Sequence, residues 1–373
     1  MKRSFIREIL ENINNQTISF AGGLPNAELF PSKQLQRCAN IVLKDNQTLQ
    51  YSTSTGLQSL KEKIALLYTN EGFKTDANNI MITSGSQQAL DIISRYHQGK
   101  TITTEAPSYL GAMNIFDLNN ITQEPLILKK TGIHLKSFRK SFHKTKLAYL
   151  IPDFQNPSGK SYSQIKRENI ANIILKDGGI IIEDAPYKDL YFKEKSQSIS
   201  SLIPNNSYHL GSFSKSLAPA LRVGYIRASK ELLQPLIAYK EAMDLHTNGV
   251  TQAMLNEYLN DASSYSGHLN ILREYYQKKM QFFAQSLDKY LPQFEYTKPK
   301  GGMFIYGKLP NINTSNLVKK CLQNGVVFVP GAEFYTTRAS YNEIRFNFTN
   351  CSNNDIEKGL KIISKILKNK KEI

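Results

Sequence analysis

The chain has 373 residues, room for two domains and a large core, and its 40% hydrophobic content is that of an ordinary globular protein. The formal net charge of +16 admits acidic partners, but the lysines are dispersed. The densest runs, Lys129-Lys130 and Lys368 to Lys371, are short and lack interleaved aromatics, which argues against nucleic acid and acidic membrane as partners.

No run of about 18 apolar residues is present, so no spanning helix is expected. Cys38, Cys321 and Cys351 are far apart and show no metal-ligand spacing. Free thiols in a reducing cytoplasm, and no metal site, follow from that pattern.

In chain order, Met1 to Leu10 reads as a basic amphipathic helix, without the apolar core of a signal peptide. Ser19-Phe20-Ala21-Gly22-Gly23-Leu24-Pro25 follows as an irregular loop. A helix resumes with Ser32 as N-cap and Leu35, Ala39 and Val42 on one face. A polar loop carries Tyr51, and a helix runs from about Leu57 to Asn70. The buried strand Ile80 to Thr83 runs straight into Ser84-Gly85-Ser86-Gln87 and a helix. The first amides of a helix have no partners inside it and the helix dipole is positive there, so this turn is an anion site or a plain serine cap. It lacks the lysine and long glycine loop of a nucleotide-binding P-loop.

Thr101 to Thr104 reads as a strand, followed by Glu105-Ala106-Pro107-Ser108-Tyr109. There the tyrosine lies against a flat ring or simply packs. Leu126 to Leu128 is strand-like, and a polar, basic loop follows it. The strand Leu147 to Ile151 ends in a loop that places Asn156 at its carboxyl end. The strand Gly179 to Ile182, the most apolar of the chain, ends in Glu183-Asp184-Ala185-Pro186-Tyr187. A carboxylate at the tip of a buried strand is costly unless paired, and a protonated ring nitrogen would pair it.

Between the strands Tyr208 to Gly211 and Val223 to Ile226 lies Ser212-Phe213-Ser214-Lys215-Ser216-Leu217-Ala218-Pro219-Ala220-Leu221-Arg222. A lysine partly desolvated between two buried strands has a lowered pKa, and a neutral amine attacks aldehydes. Ser212, Ser214 and Arg222 are the side chains that gather around a phosphate. An aldehyde and a phosphate on one small molecule describe pyridoxal 5'-phosphate.

Leu233 to Met243, Thr251 to Leu259 and the long stretch Ser266 to Leu291 read as helices. The strands Gly302 to Tyr306, Val326 to Val329 and Glu343 to Phe348 follow. Arg345 lies among apolar residues of the last of these, and a buried guanidinium needs a carboxylate, from a substrate or from an internal Asp or Glu. Short strands alternating with helices over residues 80 to 230 predict an α/β fold with a mainly parallel, doubly wound sheet, whose ligands bind beyond the strands' carboxyl ends. Ser84, Tyr109, Asn156, Asp184 and Lys215 all fall just after predicted strands.

Taken together, Phe20 to Pro25, Ile82-Thr83-Ser84-Gly85-Ser86-Gln87-Gln88-Ala89-Leu90, Asn156-Pro157-Ser158-Gly159, Glu183 to Tyr187, Ser212 to Lys215 and Arg345 to Phe348 resemble fold-type I pyridoxal-phosphate enzymes of the class I/II aminotransferase family. The likeness covers nearly the whole chain and leans toward the 2-aminoadipate and kynurenine aminotransferases, a branch that also supplies the effector domain of MocR-type regulators. No winged-helix region fits before Phe20, as such a regulator would require.

The resemblance implies a large cofactor domain over residues 46–265, a small α+β domain over 266–373, and an N-terminal segment, 1–45, at the mouth of the site. Lys215 would join the cofactor covalently and move protons; Asp184 would keep the pyridine nitrogen protonated. Asn156 and Tyr187 would bind the phenolic oxygen, and Tyr109 would cover the ring. Ser84, Gly85, Ser86, Gln87, Ser212, Ser214 and Arg222 would hold the phosphate. Tyr51 would reach the phosphate of the other subunit of a homodimer. Arg345, Gly23 and Asn156 would hold the substrate. The implied reaction moves an amino group from an L-amino acid to a 2-oxo acid such as 2-oxoglutarate. Another pyridoxal-phosphate reaction, such as β-elimination, and a non-catalytic sensor use much of the same site. Residues 94–100 and 131–146 depart from the family pattern.

Overall fold

The computed structural model describes residues 16–337 and 340–369, so the helix expected over Met1 to Leu10 lies outside the described residues. In chain order the strands and helices are β1 (Ile18–Ser19), α1 (Ser32–Val42), α2 (Gln58–Asn70), β2 (Ile80–Thr83), α3 (Ser86–Tyr96), β3 (Thr101–Ala106), α4 (Leu110–Leu118), β4 (Thr122–Lys129), β5 (Gly132–Ile133), α5 (Leu135–Thr145), β6 (Leu147–Leu150), α6 (Gln164–Asp177), β7 (Ile180–Asp184), α7 (Ile199–Leu202) and β8 (Ser207–Ser212). Then come β9 (Gly224–Arg227), α8 (Lys230–Leu233), α9 (Ile237–Asp244), α10 (Gly249–Tyr258), α11 (Ala262–Tyr290), β10 (Glu295–Tyr296), β11 (Phe304–Lys308), α12 (Thr314–Gln323), β12 (Val326–Val327), β13 (Val329–Pro330), β14 (Glu343–Asn347) and α13 (Asn353–Lys368).

Eight strands form one sheet in the order β2-β9-β8-β7-β6-β3-β4-β5. The interior pairs β8-β7, β7-β6, β6-β3 and β3-β4 are parallel, whereas β9 runs against both β2 and β8, and β5 runs against β4. Side chains alternate across a strand, and here both faces are covered. Tyr149 and Ile182 enter one apolar cluster with Leu90, Ile93 and Phe116, while their neighbours Ala148, Leu150 and Ile181 enter another with Phe138, Phe142 and Ile174. That double burial explains why these strands read as continuous apolar runs.

A second, antiparallel sheet has the order β10-β11-β14-β13. The segment after residue 16 joins this end of the molecule, because β1 pairs in parallel with β12. The Phe20 ring meets Phe283 of α11 and Phe346 of β14 edge-on, at centroid distances of 5.3 and 5.9 Å. The loop from Ala21 to Pro25 is thereby anchored at its base.

Four local expectations are corrected. The basic stretch after Lys130 is not a loop: Leu135 to Thr145 is helical, with Phe138, Ser141 and Phe142 turned inward at spacings of three and four. Its many cations hid that stripe. The helix Gln164–Asp177 had no counterpart in the reading; it buries Arg167, Ile170, Ala171 and Ile174. Ser32 is the first helical residue and Pro31 the N-cap, with Cys38 as the buried side chain of that helix. Val326 to Val329 is two short strands, because β12 pairs with β1 and β13 with β14.

Candidate active site

The carboxyl ends of the parallel strands converge with β14 and the Ala21 to Pro25 loop. Asp184, the last residue of β7, is 2% exposed. Its Oδ2 accepts a 2.7 Å hydrogen bond from the Tyr149 hydroxyl, and its Oδ1 is buried with no hydrogen-bond partner among the described residues. Burial pushes its pKa up to about 6, against the lowering effect of the Tyr149 bond. A buried oxygen of this kind calls for a donor, and a protonated ring nitrogen supplies one.

Lys215 follows β8 by three residues, and its Nζ donates to the carbonyl of Gly23 at 2.6 Å. Added at Gly23, a Cβ would stand 3.1 Å from the Phe304 ring and 4.0 Å from that Nζ, so the glycine lets the loop lie close to the amine. Arg345 is 1% exposed, carries no ion pair among the described residues, and leaves its Nε without a partner. Its Nη1 donates to Asn156 Oδ1 at 2.7 Å, its Nη2 donates to the Ala21 carbonyl, and its guanidinium lies 4.3 Å over the Phe304 ring. Burial lowers its pKa to about 10, so it remains a cation at neutral pH. The alternative of an internal Asp or Glu partner is absent among the described residues.

Asn156 Nδ2 donates to the Tyr187 hydroxyl at 3.4 Å. Burial pushes the Tyr187 pKa well up, so the phenol keeps its proton and can donate it to an anionic oxygen. The loops bearing Tyr109 and Asn156 are tied together from behind by Glu105. Its Oε1 accepts from Tyr162 at 2.6 Å, and its Oε2 accepts from the Ile151 amide at 3.2 Å and from Gln155 Nε2 at 3.1 Å. Gln155 Nε2 also donates to the Pro107 carbonyl at 2.8 Å.

The turn after β2 is capped by Gly85 at φ +82°, with no side-chain cap, which removes the plain serine-cap reading. The positive φ favours glycine here, and a Cβ would stand 2.5 Å from Arg222 Nη2, so any side chain at this position would push the guanidinium away. Arg222, itself left-handed at φ +52°, sends Nη2 to the Ser84 carbonyl at 2.9 Å and Nη1 toward Ser214 Oγ at 3.5 Å. Ser212 Oγ accepts from the Ser214 amide at 3.2 Å. Ser86 and Gln87 open the helix, where their amides have no intrahelical acceptor. The Tyr109 hydroxyl donates to Gln87 Oε1 at 3.3 Å. A Cβ at Gly224 would come within 2.7 Å of the Gly85 backbone. Gly224→Ala is therefore expected to push β9 off the turn and cost about 1–3 kcal/mol of stability; denaturant unfolding measures it.

Of the residues named from the sequence, Gly23, Asn156, Tyr187, Lys215 and Arg345 are brought together by direct bonds or close approach, and Ser84, Gly85, Ser212, Ser214 and Arg222 by another set. Tyr51 stands apart at 79% exposure, its ring edge-on to His246 at 5.9 Å. The sequence reading missed Tyr149, Phe304, Gln88 and Asp244. Tyr149, a lone hydroxyl in an apolar strand two residues out of register with Asp184, was a usable signal; Asp244, 160 residues from the Ser84 that it touches, gave none.

The orphaned Asp184 oxygen and the glycine-lined cradle under Arg222 fit pyridoxal phosphate. Comparison with known proteins agrees. The family model for aminotransferase class I and II matches residues 24–363. The 2-aminoadipate transaminase of Thermus thermophilus is 33% identical over 382 residues, covering 99% of this chain and 94% of that protein. Aromatic-amino-acid aminotransferase 1 of Thermococcus litoralis is 33% identical over 386 residues, covering 99% and 92%. The crystal structure of Pyrococcus horikoshii kynurenine aminotransferase in complex with PMP superposes with a TM-score of 0.92 at 31% identity, covering 99% of this chain and 95% of that one. No helix of the described residues is long and apolar enough to cross a membrane. From site and likeness together, the chain belongs to the class I and II aminotransferases, and it is a pyridoxal-phosphate-dependent transaminase of fold type I.

Proposed function

We propose that this transaminase moves the amino group of an L-amino acid to 2-oxoglutarate, in the cytoplasm and as a homodimer, with Lys215, Asp184 and Arg345 at the centre of the site. The observation that carries the assignment is a pair of buried opposite charges: among the described residues, Asp184 has one oxygen without a hydrogen-bond partner and Arg345 has no carboxylate. A cofactor nitrogen and a substrate carboxylate complete both.

When bound, pyridoxal phosphate supplies the aldehyde that takes up the amino group and the ring that accepts electrons from the substrate's α-carbon. Asp184, Asn156, Tyr187, Tyr109, Ser86, Gln87, Ser212, Ser214 and Arg222 would hold it. Asp184, ionised opposite a positive nitrogen, keeps that nitrogen protonated, because a charge pair in a poorly solvated place resists neutralisation of either member. Arg345 grips the substrate carboxylate and so sets which bond at the α-carbon faces the ring. Asn156 Oδ1 holds the guanidinium from one side and Phe304 lies under it. Lys215 Nζ would accept the α-proton and hold it for return within the site. Gly23, whose carbonyl receives the Lys215 Nζ, would line the substrate's place beside that amine.

Residues 46–265 would form the cofactor domain, and 266–373, joined by the segment 1–45, the small domain. Tyr51, exposed in the single chain, would reach the phosphate held by the neighbouring subunit.

A screen of L-amino acids with 2-oxoglutarate tests the reaction. Glutamate and the matching 2-oxo acid are expected; pyruvate and ammonia in their place would mean elimination. Arg345→Ala is expected to raise the amino-acid KM about 10- to 100-fold, the worth of a charged hydrogen bond. Arg345→Lys should recover little, since the planar fork is lost. An unchanged KM would move the carboxylate to another residue.

A further inference from the structure

Ser84 stands in the phosphate turn, yet each of its polar groups is taken by the protein. Its hydroxyl donates to Asp244 Oδ2 at 3.1 Å, its amide donates to Gln88 Oε1 at 2.8 Å, and its carbonyl accepts from Arg222 Nη2 at 2.9 Å. Gln88 Nε2 in turn donates to the same Asp244 Oδ2 at 2.8 Å. The other carboxylate oxygen of Asp244 is held by Lys240, whose side chain is fully buried one helical turn earlier on α9.

A carboxylate beside a phosphate is repulsive, so its presence needs a reason. Lys240 neutralises it at close range, and its two acceptor bonds fix the turn before any ligand arrives. Burial raises the Asp244 pKa, but the bonds from Lys240, Gln88 and Ser84 outweigh that and hold it below the usual carboxylate value, so it stays an acceptor. With the Ser84 hydroxyl and the Gln88 amide committed to Asp244, the groups left to meet a phosphate are the Ser86 and Gln87 amides, Arg222 and the hydroxyls of Ser212 and Ser214.

We infer that Asp244 is a positioning residue that, with Lys240 and Gln88, pre-forms the phosphate cup, and that Ser84 is part of the frame and no direct phosphate ligand. This rests on the pyridoxal-phosphate site proposed above.

The test compares pyridoxal phosphate with pyridoxal, which lacks the phosphate, titrated by absorbance into cofactor-free full-length protein. Asp244→Ala leaves the Ser84 hydroxyl and the Gln88 amide without an acceptor, and is expected to weaken pyridoxal phosphate by about tenfold or more while pyridoxal changes less than about twofold. Asp244→Asn keeps an acceptor for Ser84 and Gln88 but sets an amide donor against the Lys240 ammonium. Combining it with Lys240→Met removes that clash and should bring pyridoxal phosphate affinity back to within about threefold of the wild type. Gln88→Leu, which leaves the Lys240–Asp244 pair intact, should show the same selective loss and serves if Asp244→Ala does not fold. Parallel loss of both ligands, unchanged or tighter pyridoxal phosphate binding, or no recovery in the double variant would each overturn the assignment. Failure of the wild-type protein to bind either ligand would instead strike at the site itself.

Discussion

Lys215→Ala is expected to abolish transamination, with turnover down by roughly 10⁴-fold or more, because in the proposed site this one side chain would both anchor the cofactor and carry the α-proton. The folded protein should persist. The amine makes a 2.6 Å bond to the Gly23 carbonyl, a neutral-acceptor contact whose loss costs about 1 kcal/mol. Cofactor binding should weaken without vanishing, since the phosphate cup and Asp184 remain. Two measurements check this. Borohydride treatment of the wild-type holoenzyme should leave the cofactor's mass on the peptide containing Lys215, and the variant should take up no such label. Labelling of another lysine, or appreciable turnover by the variant, would remove Lys215 from its role.

Asp184→Asn should lower turnover by roughly 10²- to 10³-fold, the scale of removing one preorganised charge from a dry site. It should also change the pH dependence of stability in the cofactor-free protein. Burial raises the Asp184 pKa from 3.8 to about 6, so the folded state holds this proton more tightly than the unfolded state does. Between those two values the folded form binds the extra proton. The wild type therefore loses stability relative to the variant as pH rises from about 4 to about 6, and the full cost is present above that range. The difference, on the order of 3 kcal/mol, follows from the size of the shift. Denaturant midpoints of wild type and Asp184→Asn across pH 4 to 8 isolate it from other titrating groups. Saturating the wild type with cofactor should remove the loss, because in the proposed site the ring nitrogen would pair the carboxylate. Parallel midpoint curves for the two proteins would show that Asp184 does not titrate as a buried, bare carboxyl.

The framework of the site was legible because it is local. Each of Ser84, Tyr109, Asn156, Asp184 and Lys215 follows or ends a stretch short enough to be a strand, and in a doubly wound sheet such positions converge beyond the strands' carboxyl ends. Arg345 was recognisable as a cation in an apolar strand, but its partner was not. That depended on whether any Asp or Glu of the other elements approached it, and among the described residues none does.

What the sequence by itself determined is the list of groups at the strand ends and the α/β alternation that carries them, since both depend on patterns of two to ten neighbouring residues. Only the tertiary structure decided what those groups do to one another. It gave Asp184 one satisfied and one bare oxygen through Tyr149, laid Arg345 over Phe304 beside Asn156, and turned Ser84 inward to Asp244. The reason is physical. Hydrogen bonding and desolvation act over a few ångströms of space, and residues 160 positions apart in the chain become neighbours only when the strands and helices have packed.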